Sequence, residues 1–439
     1  MKRAFAIALL ALTVCLRMPA AETNVPITLA EGFKKILAQD PELLHLRKEV
    51  ERATGTRLVF HSRDLARLDV QPTMGLEGGN LYVHNKPFAL VMARFNQPLV
   101  NRGIAAGWRR GNLEVVATEQ NLNTAIANRL NEFRQYYLRA QRLQQLIGLY
   151  HELDQRLQAN VTAEQQRRNV GSTGPRPLLQ ARVQLLSERA ELNAFQREDF
   201  EVRSAMAEMM GQSIAHLPLP AEPLAHEPVK VDLKADSELA EQRREDLKFL
   251  RTLIHILTED RRIADADYFP YISAIGSGLY IPGKKPIYQA TPIIQGQQPL
   301  GTDIRGGVNM TWQVIDNGRV TGERRQIQAV REQYEIILAQ LEQNIPRELE
   351  RISHALENAD AKLSALEKST TEAEENLKLV ETRVSLGEAT QLDFSDAQRN
   401  LLAVRQGIVE AEFQHGMALA ELDLATGRYL EFAEPPKGP

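Results

Sequence analysis

RVSLGEATQLDFSDAQ, residues 383–398, stops a long run of helix-forming sequence at Gly387 and restarts it at Thr390. Glycine adopts the left-handed backbone that ends a helix and reverses the chain. Thr390 followed by Asp393 has the T-x-x-D form of a capping box, and acids are favoured in a first helical turn. Asp393 and Asp396 stand three residues apart, so they share one face of the new helix. The stretch therefore predicts the tip of a helical hairpin.

Upstream of this tip, Ile327, Val330, Tyr334, Ile337, Leu341, Ile345, Leu349, Ile352, Leu356, Ala359, Leu363 and Leu366 recur in steps of three and four, continuing to Val384. The mean step, roughly 3.6 residues, lies between a supercoiled heptad and a straight helix. It predicts a nearly straight helix over 320–385, roughly 100 Å long at 1.5 Å per residue and too long for a compact globule. Pro346 falls where the pattern slips and is expected to bend it.

Residues 104–170 behave alike, with Ile126, Leu130, Phe133, Tyr137, Ala140, Ile147, Tyr150, Leu153 and Leu157 on one face. A shift of 216 positions lays RRNVGSTGPRPLLQAR, from Arg167, over the opening stretch. Arg167, Gly171, Ala181, Arg189 and Gly211 then meet Arg383, Gly387, Ala397, Arg405 and Gly427. A shift of 215 lays LVNRGIAAGWRR (99–110) on VIDNGRVTGERR (314–325). Two hairpins read as copies of one unit. The expected order in each is short helix (28–65, 237–266), two strands, long helix, tip and return helix (176–211, 391–426). The first repeat would span 22–211 and the second 237–428, followed by a tail at 429–439. Between them HLPLPAEPLAHEPVK carries four prolines within 218–228, which forbid a helix and mark 212–236 as a linker.

Strand patterns precede each long helix: LDVQPTMGLEG and FALVMARFNQPL in the first half, YFPYISAIGSGLYI and DIRGGVNMTWQV in the second. No apolar run beyond the N-terminus reaches the 18 residues or so of a membrane-spanning helix. A membrane crossing would have to be made of strands. Four strands cannot close a barrel, and open edges are not tolerated in lipid, so several chains would share one.

Composition agrees with long helices, being rich in Gln, Glu, Arg, Leu and Ala with 6% aromatics. Charge is balanced, 53 basic against 57 acidic residues, and offers no nucleic acid a basic face. The start, MKRAFAIALLALTVCLRMPAAET, has a positive end, an apolar stretch and small residues at Ala20 and Ala21, as in an export signal over 1–21. Removal takes three positive charges, leaving 57 acids against 50 bases, and the single cysteine, Cys15. A cysteine-free mature chain suits an oxidising compartment such as the periplasm. The rival reading makes Cys15 a lipid-attachment site, against which Val14 is bulkier than usual.

These segments, in their order and duplication, resemble the outer-membrane efflux family, the TolC-like exit ducts of Gram-negative bacteria. TLAEGFKKILAQDPEL is similar to the family's opening helix, REDLKFL to its counterpart, WQVIDNGR to the strand-to-helix junction and RVSLGEATQLDFSDAQ to the tip of the second hairpin. The resemblance implies a mainly α fold with a small membrane β region. Duplicated helical hairpins would form a trimeric α-barrel tunnel joined to a shared twelve-stranded β-barrel. It implies a homotrimer in outer-membrane lipid that works with a periplasmic adaptor and an inner-membrane pump or secretion transporter. Tyr268, Phe269, Tyr271, Tyr280 and Tyr288 are candidates for an interfacial girdle. The resemblance also implies acids at the narrow periplasmic end, so Asp393 and Asp396 are expected to form a cation-attracting constriction, besides capping their helix.

The first tip carries Pro177 and Gln180 in their place. Arg176 and Arg182 beside them are expected either to be solvated or to pair with the aspartates and hold the duct shut. Arg167 and Arg383, four residues before Gly171 and Gly387, either complement the helix dipole or contact the adaptor. The nine histidines show no ligand spacing on a common helix face, so surface or packing roles are expected, with no metal and no cofactor. Nucleophile motifs and phosphate-cradling loops are absent, so the chain is not read as an enzyme. The competing class, a periplasmic coiled-coil adaptor or spacer, usually carries one hairpin inserted in β-rich domains, against two here.

Overall fold

A computed structural model of the chain describes residues 25–77, 86–226, 228–282 and 301–433. The export signal, Cys15, Tyr288 and the end of the tail lie outside the described residues. In chain order the elements are β1 (Val25–Ile27), α1 (Leu29–Gln39), α2 (Pro41–Ser62), β2 (Arg67–Glu77), β3 (Lys86–Val100), α3 (Arg102–Asn169) and α4 (Pro175–Met209). There follow β4 (Pro218–Pro220), α5 (Leu233–Arg243), α6 (Glu245–Ala266), β5 (Tyr271–Ile281), β6 (Gly301–Thr311), α7 (Arg319–Ser385), α8 (Gln391–Ala425) and α9 (Tyr429–Ala433).

The long helices, return helices and four main strands fall where the periodicity places them. Each expected short helix is instead a pair. Asp40 leaves helical geometry at ψ 123° and Pro41 opens α2, a position where its missing N–H costs nothing. Arg244, at ψ 117°, makes the matching break between α5 and α6. The proline-rich linker is not wholly irregular: its β4 pairs in parallel with β1, Val25 opposite Pro218, and α5 begins at Leu233 behind an Asp232 carboxylate that accepts the N–H groups of Lys234 and Ala235. Helix α7 continues through Pro346.

The chain divides into two compact units. One comprises Met1–Leu44, Ile126–Leu239 and Arg347–Pro439; the other comprises His45–Ala125 and Ala240–Pro346.

In the first unit the two hairpins pack side by side. Leu153 and Leu157 of α3 meet Leu185 of α4, and Val161 and Leu402 close around them. Polar ties link the hairpins: Ser395 Oγ donates to Gln184 Oε1 (2.7 Å), Gln406 Nε2 to the Tyr150 hydroxyl (2.7 Å) and Arg142 Nε to Glu410 Oε2 (2.7 Å). Away from the tips, Phe33 of α1, Phe133 of α3 and Tyr429 of α9 stack edge to face in a buried aromatic knot, where the Tyr429 hydroxyl donates to Asn131 Oδ1. On α7 the predicted stripe is buried from Ile345 to Leu363.

The second unit holds an antiparallel sheet in the order β2-β3-β5-β6. Arg67 pairs with Asn96, Ala93 with Gly278 and Gly276 with Gly306, with one irregularity between Pro98 and Val100.

Candidate channel wall and hairpin tips

Residues directly opposite each other in an antiparallel sheet share a face, so the register sorts the side chains. One face collects Leu68, Val70, Pro72 and Met74 of β2, Ala89, Val91, Ala93 and Phe95 of β3, Ile272, Ala274 and Tyr280 of β5, and Ile304, Val308 and Met310 of β6. It carries no charge, and Met74 is 82% and Ile304 80% exposed. The other face carries Arg67, Asp69, Gln71, Arg94, Asn96, Ser273, Ser277, Asp303, Arg305 and Asn309, mixed in the middle strands with Leu90, Met92, Ile275 and Leu279. An apolar face backed by a largely polar one is the alternation that strands between lipid and water carry. Among the described residues, both outer strands, β2 and β6, have one unpaired edge.

At one end of the sheet Tyr268 and Phe269 are exposed beside Trp312, whose indole Nε1 donates to the Tyr268 carbonyl (3.1 Å). The Arg102 guanidinium lies over the Phe269 ring, 3.8 Å from its centre. Tyr280 is exposed near the other end, whereas Tyr271 is half-buried and by register lies on the polar face. Trp312 thus joins the exposed aromatics at this end of the sheet, a neighbour that the sequence reading did not include. The strand-to-helix junctions repeat as the shift of 215 positions requires. Asn101 Oδ1 accepts the Gly103 N–H (2.8 Å), and Asp316, its counterpart, accepts those of Gly318 and Val320 (both 3.1 Å).

The two tips close by the same hydrogen bonds. Ser172 N–H reaches the Arg167 carbonyl (3.0 Å) and Gly171 N–H that of Arg168 (3.0 Å); Glu388 N–H reaches Arg383 (2.8 Å) and Gly387 N–H reaches Val384 (3.1 Å). Both glycines are left-handed, at φ 73° and 80°, as this helix-ending motif requires. Gly211 and Gly427 end the return helices in the same way, at φ 65° and 72°.

Beyond the second tip Thr390 and Asp393 form the full reciprocal cap. Asp393 Oδ2 accepts the Thr390 N–H (2.8 Å) and hydroxyl (2.7 Å), and the Asp393 N–H returns to Thr390 Oγ1 (3.2 Å). The hydroxyl bond, then the backbone one, holds the Asp393 carboxyl below the usual aspartate range. Asp396 pairs with Arg399, and both aspartates are exposed. Within the chain Arg182 donates to Gln165 Oε1 (2.9 Å) and not to either aspartate. Arg176 is exposed at the start of α4, and Arg167 pairs with Glu164 (2.8 Å), which is buried. The repeat extends to side chains: Arg189 reaches Gln158 (3.0 Å) and Arg405 reaches Glu374 (2.9 Å), which is 216 positions on.

The histidines scattered along the chain are not all scattered in space. His226 of the linker, Asp360 of α7 and His415 of α8 bring their ligand atoms within 4.8 Å of one another. No spacing rule reveals this, because three distant elements supply them.

The outer membrane efflux protein family model matches residues 33–212 and 237–428, most of the chain. The chain belongs to the outer membrane efflux protein family. No curated protein matches it. Among solved structures it is similar to the outer membrane protein VceC of Vibrio cholerae, with 17% identity and a TM-score of 0.77 over 91% of this chain and 96% of that one. It is similar to CusC, with 16% identity and a TM-score of 0.76 over 94% and 95%. It is also similar to the open state of the MtrE channel of Neisseria gonorrhoeae, with 18% identity and a TM-score of 0.73 over 93% and 92%. The family is one of channel proteins of the outer membrane. None of the described helices is long and apolar enough to cross a membrane.

Proposed function

We propose that this efflux-family protein is a passive exit duct of a tripartite efflux or type I secretion system, taking substrates from an inner-membrane transporter through a periplasmic adaptor. The observation that carries the reading is the sheet: one face apolar and exposed, the other polar, and an unpaired edge at each end. Hydrogen bonds left open on β2 and β6 have no water to satisfy them in lipid. Pairing β2 of one copy with β6 of the next satisfies both, and three copies of four strands give a closed barrel of twelve. A periplasmic spacer has no use for such a face.

The hairpin tips are the periplasmic end of the duct in this reading. Three copies place six carboxylates of Asp393 and Asp396 around its mouth, the first fixed by its cap and the second by Arg399. Such a ring attracts cations. Because Arg182 is held by Gln165 within its own chain, a closing contact with the aspartates of a neighbour would require that bond to give way; Arg176, exposed at the start of α4, is the other candidate for such a contact. Arg167, Gly171, Arg383 and Gly387, which build the tips, are the surface offered to the adaptor.

Reconstitution of the double variant Asp393→Asn, Asp396→Asn tests the ring. Reduced cation preference or altered conductance is expected, and values equal to those of the unmodified channel would reject the role. Paramagnetic labels on cysteines introduced singly at 68, 70, 308 and 310 are expected to meet lipid-dissolved oxygen, and those at 69, 71 and 309 a water-soluble relaxer. Uniform exposure to water along both strands would exclude the barrel.

A further inference from the structure

We propose that His226, Asp360 and His415 form a binding site for a divalent first-row transition metal, with zinc the ion their chemistry fits, clipping the inter-repeat linker onto the second hairpin. His415 projects from α8 into the first unit and is 1% exposed, yet neither of its ring nitrogens makes a hydrogen bond. A buried polar group without a partner is costly, and such exceptions call for an explanation such as an ion. Its Nε2 lies 3.3 Å from Asp360 Oδ1, and His226 Nε2 lies 2.8 Å from that same oxygen. The two imidazoles meet edge to face, their centres 4.5 Å apart and their planes at 65°.

Ligands about 2.0–2.1 Å from a tetrahedral ion stand roughly 3.3 Å from one another, so small side-chain adjustments bring these three atoms onto one ion. Two imidazole nitrogens with one carboxylate oxygen are a zinc-type set. Calcium and magnesium favour all-oxygen sites, and the described residues contain no thiolate for softer ions. A ligating imidazole must be neutral, with a lone pair to donate. His226 and Asp360 are only half-buried, with 22% and 34% of their side chains exposed. That opening admits the ion and a water as fourth ligand. His415 Nδ1 lacks the acceptor that usually orients a metal-bound imidazole, a support whose absence costs about 10–100-fold in affinity. The site is therefore a moderate binder and not a permanently loaded one.

Without an ion the same residues would be a hydrogen-bonded tether, His226 to Asp360, and the two roles separate experimentally. The full chain in detergent, stripped with a chelator, is dialysed against Co²⁺ and then Zn²⁺. One ion per chain is expected, with the visible absorption of nitrogen- and oxygen-ligated Co²⁺ in a four-coordinate site and its displacement by Zn²⁺. His226→Ala and Asp360→Asn, both at part-exposed positions, are each expected to weaken uptake at least about tenfold, the scale on which metal sites lose affinity to side-chain change. Asp360→Asn keeps an oxygen to accept from His226, so a mere tether survives it with ion uptake unaffected. Absence of stoichiometric uptake by the unmodified chain, or uptake unchanged in both variants, overturns the proposal.

Discussion

Asp40, with no exposed side-chain surface, joins α1, α2 and α3 through one carboxylate. Its Oδ1 accepts the N–H groups of Glu42 (2.9 Å) and Leu43 (3.1 Å), and its Oδ2 accepts from Arg129 Nε (2.8 Å). The break that periodicity along 28–65 did not anticipate is thus held by a buried ion pair. Removing one partner of such a pair costs about 3–5 kcal/mol, chiefly because the other stays buried and uncompensated. Arg129→Ala leaves the buried carboxylate its two backbone N–H donors and is expected at the lower part of that range. Asp40→Ala is expected at the upper, since it removes the ion pair and the acceptor of both N–H groups together. Melting in detergent checks the order, which equal losses would contradict.

Gly171 and Gly387 both sit at left-handed φ, and a Cβ built on either would meet nothing within 4 Å. The cost of alanine at these sites is therefore backbone strain alone, about 1–2 kcal/mol. Gly171→Ala and Gly387→Ala are expected to speed hydrogen exchange at their own tip and leave the helix bodies unchanged. Asparagine, which tolerates the left-handed region, is expected to lose less. Alanine variants with native exchange at the tips would show that the turns do not depend on glycine.

Asp393 supplies a pH dependence. Its folded pKa lies below its unfolded one because the Thr390 hydroxyl, then the Thr390 backbone N–H, bond to the charged form. The cap's contribution is thus present above the unfolded value and fades as pH falls through the folded one. Thr390→Val removes the larger cause, so the Asp393 carboxyl resonance in NMR is expected to titrate closer to the usual aspartate range. An unchanged midpoint would place the cause elsewhere.

Local chemistry explains what could be read without coordinates. The stripe from Ile345 to Leu363, the tip glycines and the β2 alternation each declare themselves within a few residues, because helix, turn and strand impose short periods. Even the duplicated bonds of Arg189 and Arg405 follow from the repeat. What escaped depends on partners remote in sequence. Trp312 joins the exposed Tyr268 through that residue's carbonyl. Pro218–Pro220, which excluded a helix, became a strand only because Val25–Ile27 lay beside it. His226, Asp360 and His415 share a site only through the packing of the linker against α7 and α8. The tip residues stand between these cases: the Asp393 cap was legible, whereas Arg182 found Gln165 across the first hairpin instead of an aspartate.

The unpaired edges of β2 and β6 make the most exacting demand. A single copy cannot enter lipid with both edges open, and three copies can close them. The decisive measurement is the mass of the detergent-solubilised particle, taken with its conductance in a planar bilayer. A particle of three chains that passes ions is the predicted result; a single-chain particle that leaves the bilayer sealed would contradict it.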